Sequence, residues 1–338
     1  MQKDIPRRFV PYDELGDVPN IVVDGSGSAL TAITLSHWPK SGTPQALKAD
    51  TSAEIVFNHL GAPEFHVAAE AVSNNHFDED GLIGVFTLLE PEAALEMRDL
   101  LVDAARAGDF ATYRHRRAAC IAFTVSAFAD AGTSPLDPAV FDLPYGEKCA
   151  ALYREMLPRL CEIATDTERF RRYWEDEEHV LEQSERAIRD GRVRIEELPE
   201  LDLAVVTVPE GWSPHAVHRF AQSREEPCHP MAVHNATRRN CILTQQGRRY
   251  GATYRYESWV QYVTAPPRPR ADLTPLAEAL SAEESGGVAW TFDGVSALTP
   301  RLALPKNRES AIPPEVFKAR VIEFLAAVPP AWDPYDPS

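Results

Sequence analysis

Within VSNNHFDEDGLIGVF, residues 72–86, one imidazole and three carboxylic acids occupy five positions: His76, Asp78, Glu79 and Asp80. Charges packed so closely repel one another unless a cation sits among them. An imidazole at 76 with carboxylates at 78 and 80 offers borderline nitrogen and hard oxygen donors, a set that suits Mn2+, Mg2+ or Fe2+ better than a thiolate-preferring ion. Asp78 and Asp80 also suit the first turn of a helix, where the macrodipole favours acids, but capping accounts for neither His76 nor the apolar run leading into it. Two other positions offer ligands of the same kind. Asp24 closes NIVVD and precedes GSGS, whose glycines would let backbone amides approach an anion. His37 closes TAITLSH, after which Trp38 and Pro39 break the run.

These residues need elements that bring them together. NIVV (20–23), TAITL (31–35) and VAAEAV (67–72) are apolar and rich in β-branched residues, and a helical pattern separates the last two. That alternation predicts a parallel α/β sheet, whose ligands gather at the carboxyl ends of the strands. In the intervening helix Ile55, Val56 and Leu60 have helical spacing, Thr51 or Ser52 can cap, and Gly61 with Pro63 ends it. Helical segments follow at about 81–131 and 146–191; the charge-dense stretch from Glu162 to Asp190 predicts one long solvated helix. From Val193 the pattern changes. LDLAVVTVPE, MAVHNAT, CILTQQ and YGATYRYESWVQYVT predict strands of a smaller second sheet, with helices near 274–284 and 313–327 and an extended or frayed proline-rich tail. The expected domains are 1–195 and 196–338.

HFDEDG followed by LIGVFTLL resembles the first motif of the DHH phosphoesterase superfamily, in which an apolar strand ends in an acidic, glycine-terminated turn. LSHWPKSGTPQALKADTSAEIVFNHL resembles the segment that gives that superfamily its name. The resemblance covers about residues 20–110, and its two segments come in the opposite order from the superfamily's. It implies a DHH-like Rossmannoid sheet with a helical insert, a smaller α+β domain, and a hydrolase with a two-ion centre, Mn2+ first among the candidates. Asp24 matches the bridging aspartate, His37 the central histidine of the triplet, and His76, Asp78 and Asp80 the first motif. Asp109 of ARAGDF matches the last aspartate, with Asp103 as the alternative. The implied catalytic groups are Asp24, His37 and Asp80. Ser36 and Trp38 stand at the outer positions of the triplet, so two of its three residues are replaced. Along its whole length the chain is also similar to an uncharacterised bacterial protein family, which implies no activity.

The superfamily's second domain holds substrate phosphate with basic residues. Here seven arginines and one acid lie between Thr237 and Arg270. Arg255 is the first candidate for an anion clamp, because a guanidinium grips two phosphate oxygens at once. Arg238, Arg239 and His234 follow, whereas Arg248 and Arg249 read as solvated turn positions. His215 and His218 would make a metal-binding pair if their segment were helical. His229 is a further phosphate candidate, and Cys228 has no base partner to make it a nucleophile.

Composition bounds the rest. With 338 residues, 44% of them hydrophobic, the chain can bury a substantial core. Its charge of −17 argues against duplex DNA as a partner and favours a small phosphorylated molecule. Five scattered cysteines imply neither a disulfide framework nor a zinc-thiolate site. With no basic-then-apolar leader and no apolar run long enough to span a bilayer, the expectation is a cytoplasmic protein without a membrane partner. Association as a homodimer stays open. Two other readings stand beside the phosphoesterase: a metal-dependent hydrolase of amides or other carbonyl compounds, and a ligand-binding or regulatory protein that has lost catalysis.

Overall fold

The structure, a computed structural model, describes residues 7–213, 215–219 and 222–336. In chain order these form β1 Arg8–Phe9, β2 Asn20–Val23, β3 Thr31–Leu35, α1 Ser52–Leu60, β4 Ala71–Ser73, α2 Glu79–Leu89, α3 Pro91–Glu96, α4 Arg98–Phe110 and α5 Arg116–Ala129. Next come α6 Tyr145–Met156, α7 Leu160–Thr165, α8 Glu175–Arg189, β5 Arg194–Leu198, β6 Leu203–Val208, β7 His215–Arg219, β8 Gln222–Glu226 and α9 Pro230–Ala236. The chain closes with β9 Cys241–Gln246, β10 Arg249–Tyr254, α10 Thr274–Glu283, β11 Thr291–Phe292, β12 Arg301–Ala303 and α11 Pro314–Ala327. The protein is α/β, and its described residues form a parallel sheet, a mixed sheet and a two-stranded β7-β8 sheet.

The first compact unit runs to His179 and takes in residues 217–224; the second holds 180–216 and 225 onward. The division falls within α8 rather than at residue 195. The second half of α8 belongs to the second core, where Ala187 and Val193 pack with Ala204, Val206 and Val208.

In the first unit the sheet order is β1-β4-β2-β3, and every pair is parallel. All four residues of β2 are buried, which explains a continuous apolar run rather than an alternating one. Helix α2 lies unusually close to this strand. A methyl group on Gly84 would sit 2.5 Å from Val23 Cγ1, so only glycine permits the approach. Thr51 and Glu54 form a reciprocal capping box at the start of α1, with Ser52 as the first helical residue.

Several expected elements differ. The third strand is confined to Ala71–Ser73, while residues 67–70 are irregular. The long helix expected from Glu162 to Asp190 is three pieces, α7, a 3-10 segment Thr167–Tyr173 and α8. The Thr167 hydroxyl bonds the Ile163 carbonyl at 2.8 Å, and Trp174 Nε1 donates to the Thr167 carbonyl at 3.0 Å. Burial of Phe170 and Trp174 thus prevails over the weak charge pairs of a continuous helix.

The second sheet has the order β11-β12-β10-β9-β6-β5, with β6 and β9 parallel and the other pairs antiparallel. MAVHNAT, expected as a strand, is helix α9: Pro230 takes the first turn and the His229 ring accepts the Met231 N–H. The strand expected from Tyr250 to Thr264 ends at Tyr254 and gives way to a short 3-10 turn, Tyr256–Ser258. The tail, expected to be extended or frayed, is docked as far as it is described. Arg270 N–H donates to the Trp332 carbonyl at 2.8 Å, and Gln261 Nε2 to the Pro334 carbonyl at 3.3 Å.

Arg270, which sequence patterning did not single out, is fully buried and ties this unit together. Its guanidinium donates to the Ser258 hydroxyl at 2.8 Å and to the carbonyls of Val295 at 3.0, Ala297 at 2.6, Leu298 at 2.7 and Arg255 at 3.2 Å. Burial pulls its pKa down to about 9, which leaves it charged at neutral pH. We expect Arg270→Ala to destabilise the protein by about 3–4 kcal/mol, because several buried carbonyls lose their donor together. Urea unfolding followed by tryptophan fluorescence measures the loss.

Candidate metal centre

The sheet order puts the carboxyl ends of β4, β2 and β3 side by side. Asp24 follows β2 and is held in the left-handed region at φ 49°, which turns its side chain across the strand end. His37 follows β3, His76 and Asp78 lie between β4 and α2, and Asp80 is in the first turn of α2. Asp109, near the end of α4, completes the cluster. His37 Nε2 lies 3.4 Å from Asp24 Oδ1, 3.9 Å from Asp80 Oδ2 and 3.5 Å from Asp109 Oδ2. His76 Nε2 lies 3.2 Å from Asp24 Oδ2 and 2.8 Å from Asp78 Oδ2. The six candidates named from the sequence therefore converge at one strand edge.

Two ligand triads result, Asp24 with His76 and Asp78, and Asp24 with His37 and Asp80; within each, one donor atom per residue lies within 4.8 Å of the others. The donor set fits a divalent ion. Ligands at about 2.1 Å from an ion, at right angles, stand about 3 Å apart, close to the spacing of these atoms.

Neighbouring groups fix the donors. His37 Nδ1 lies 2.6 Å from the Asp50 carbonyl, which accepts its proton and turns Nε2 toward the carboxylates. The Ser52 hydroxyl donates to Asp24 Oδ1 at 2.7 Å. The Ser52 and Ala53 N–H groups, in the first turn of α1, donate to the two oxygens of Asp80, each at 2.7 Å. Asp78 is the N-cap of α2 through the Gly81 N–H at 2.9 Å, while its other oxygen faces His76. Asp78 and Asp80 thus serve helix N-termini and the cluster at once. Glu79 turns away and accepts from the Ser126 hydroxyl at 2.6 Å. Trp38 stacks on the His76 ring at 5.2 Å between centroids.

The electrostatics record a charge imbalance. Burial first, then the charges of Asp24 and Asp78, push Asp80 well above the usual carboxylate range, against the Ser52 and Ala53 N–H bonds. Asp109 is raised well above it too, by burial and then by Asp80, Asp78, Asp24 and Glu79. Burial would raise Asp24 as well, but the hydrogen bond and charge of His76, with His37 and Ser52, carry it below its ordinary value. Burial would lower His76, yet Asp78 and Asp24 hold it well above the ordinary imidazole range. Protons here do the work that cations would otherwise do.

Other candidates lie elsewhere. Asp103 is not in the cluster; its carboxylate accepts the N–H groups of Arg114 at 2.9 and 3.0 Å and of His115 at 2.8 Å, bracing the entry to α5. Ser36 is buried and accepts the Trp38 N–H at 3.2 Å, a brace for the loop after β3. In the second unit Arg255, expected as an anion clamp on a strand, follows β10 and is buried against Glu257 and the Thr237 carbonyl. Its guanidinium is committed inside the fold. Arg239 lies 3.7 Å from Glu197 and 3.9 Å from Asp202, while Arg238 is exposed. Arg248 donates to the Ser310 carbonyl and Arg249 pairs with Glu309, so these turn positions are structural.

His234 is half-buried in α9; His229, its N-cap, is buried. His215 and His218 lie on β7, so the helical pairing fails, and the His218 side chain lies outside the described residues. Cys228 is buried, and burial pushes its thiol up to about 11, where it stays protonated. The five cysteines are free. No helix among the described residues is long and apolar enough to cross a membrane.

Sequence reasoning missed Asp50, Asn74 and Tyr153, and gave Ser52 only a capping role. The fold and the cluster define the class: an α/β protein with a candidate metal centre at the carboxyl edge of a parallel sheet. The chain belongs to the DUF6687 family, a family of unknown function, whose model matches residues 5–336. No curated protein and no solved structure matches it.

Proposed function

We propose that the first unit is a divalent-metal-dependent phosphoesterase on a DHH-like scaffold, acting on a small phosphorylated substrate such as a nucleotide, a short oligonucleotide or a polyphosphate. One observation carries this reading: the two ligand triads share Asp24, whose oxygens face different imidazoles. A carboxylate so placed suits a bridge between two ions. His76 and Asp78 would complete one side, and His37, Asp80 and Asp109 the other, with Mn2+, Mg2+ or Fe2+ matching the donors. When bound, a pair of such ions supplies an activated water and the positive charge that phosphoryl transfer needs.

The chain's own groups prepare the site. Asp50 fixes the His37 ring, Ser52 orients Asp24, and the first turn of α1 holds Asp80. Trp38 covers one face of His76. The charge of −17 supports a small substrate over a long polyanion. Among the five residues expected to meet phosphate, Arg238 is the exposed one.

Elemental analysis of protein purified without chelators, followed by Mn2+ titration, tests the centre; we expect two ions per chain. A panel of nitrophenyl phosphodiester, cyclic dinucleotide, pyrophosphate and short RNA, run beside amide and ester substrates, tests the chemistry. A metal-free protein indifferent to Mn2+ would point to the regulatory reading, and metal-dependent cleavage of amides alone to the carbonyl one.

A further inference from the structure

Asn74 and Tyr153 place unused donors beside this centre. Both side chains are buried, and among the described residues neither Asn74 Nδ2 nor the Tyr153 hydroxyl has a hydrogen-bond partner. Each such buried, unpaired donor destabilises the fold, so two together in one place call for a reason. They meet at Gly81. A methyl group there would lie 2.1 Å from Asn74 Nδ2, 2.8 Å from the Tyr153 hydroxyl and 3.1 Å from Asp78 Oδ1.

Neither donor is free to turn to solvent. Asn74 Oδ1 already accepts the His76 N–H at 2.9 Å, which fixes the amide with Nδ2 toward Gly81. The Tyr153 ring stacks on Phe9 at 4.7 Å and meets the edge of Phe77 at 5.1 Å. Asp78 Oδ2, by contrast, lies 2.8 Å from His76 Nε2. An imidazole nitrogen that gives its lone pair to an ion cannot also donate a proton to a carboxylate. With His76 as a ligand, Asp78 therefore loses that donor and keeps the Gly81 N–H on Oδ1, and Asn74 Nδ2 and the Tyr153 hydroxyl line the same space at Gly81 as that oxygen.

We propose that Asn74 and Tyr153 are positioning residues, buried donors that hold Asp78 Oδ1 so that Oδ2 is directed at a bound divalent ion. The proposal rests on the metal-centre reading above. It also explains why residue 81 must be glycine: a side chain there would occupy the space the three polar atoms share.

The test is calorimetric titration of Mn2+ into the full-length wild type, Tyr153→Phe and Asn74→Asp, with melting temperatures recorded with and without the ion. Tyr153→Phe keeps both ring contacts and removes only the hydroxyl. We expect its Mn2+ affinity at one site to fall about 10–100-fold, with the metal-free melting temperature unchanged or raised. Asn74→Asp keeps the acceptor for the His76 N–H and removes the donor; it should weaken Mn2+ despite its added negative charge. Should Tyr153→Phe fail to fold, Asn74→Asp decides alone. Binding by Tyr153→Phe as tight as wild type, tighter binding by Asn74→Asp, or an equal loss of melting temperature with and without Mn2+ overturns the proposal. A wild type that binds no Mn2+ defeats the metal-centre reading and this inference with it, whereas binding unaltered by the substitutions defeats this inference alone.

Discussion

Asp24→Asn should abolish stoichiometric metal binding and lower any phosphoesterase turnover about a thousandfold or more. Metal-bound charge stabilisation contributes several kcal/mol to such a reaction, and each 1.36 kcal/mol is a factor of about ten in rate. Asp24 is the residue of choice because both triads include it. Loss of any other ligand leaves one triad intact; loss of Asp24 weakens both. The substitution is also mild for the fold. Position 24 has φ 49°, a conformation asparagine adopts readily, and an amide oxygen can still accept the Ser52 hydroxyl. Asp80→Asn is the less discriminating variant, because an amide nitrogen would face one of the two N–H groups that Asp80 now accepts. Elemental analysis and circular dichroism of Asp24→Asn separate the two effects. Retention of two ions with native turnover would refute the bridging role.

The parts of the fold that could be read from the sequence are those whose signal is local. NIVV, buried throughout, and TAITL, buried at its carboxyl end, are rich in β-branched residues and form β2 and β3 over the expected residues. Asp24, His37 and the turn at 76–80 could be named because each directly follows such a run, and parallel pairing then sets them side by side. What local signal left undecided or missed was decided at long range. Asp103 has the same chemistry as Asp109, but one carboxylate braces the loop into α5 and the other faces His37. No sequence spacing distinguishes them. Arg255 looked like an exposed strand arginine, and only the turn after Tyr254, which brings back Glu257, shows that it is buried. Tyr153 reaches the turn at 76–81 from α6, far along the chain, and no periodicity marks it. His229-Pro230 was a legible helix start that the apolar run after it obscured.

The second large effect is a reversal of pH dependence by metal. In the metal-free protein Asp80 and Asp109 titrate well above the ordinary value of 3.8, so the stability they contribute is complete below that pH and is lost as pH rises through their folded values. His76, raised well above 6.5, acts in the same direction: its contribution is complete below 6.5 and is lost as pH climbs through the folded value. Asp24, lowered from 3.8, opposes them only at the acid end, where its contribution disappears as pH falls through its folded value. The metal-free melting temperature should therefore decline from mildly acidic to alkaline solution. Divalent ions require the same groups deprotonated, so their binding strengthens with pH and releases protons. At Mn2+ concentrations about a hundredfold above Kd, each site adds about 2.7 kcal/mol, or several degrees in a unit of this size. The gap between Mn2+-loaded and chelator-treated protein should be small near pH 5 and widest near pH 8. Asp109→Asn isolates the cause. Replacing an acid that burial and neighbouring charges keep from ionising with a neutral amide should raise the metal-free melting temperature at pH 8 and narrow the Mn2+ gap. A metal-free melting temperature that rises between pH 5 and 8 would show that repulsion within this cluster does not govern the stability of the first unit.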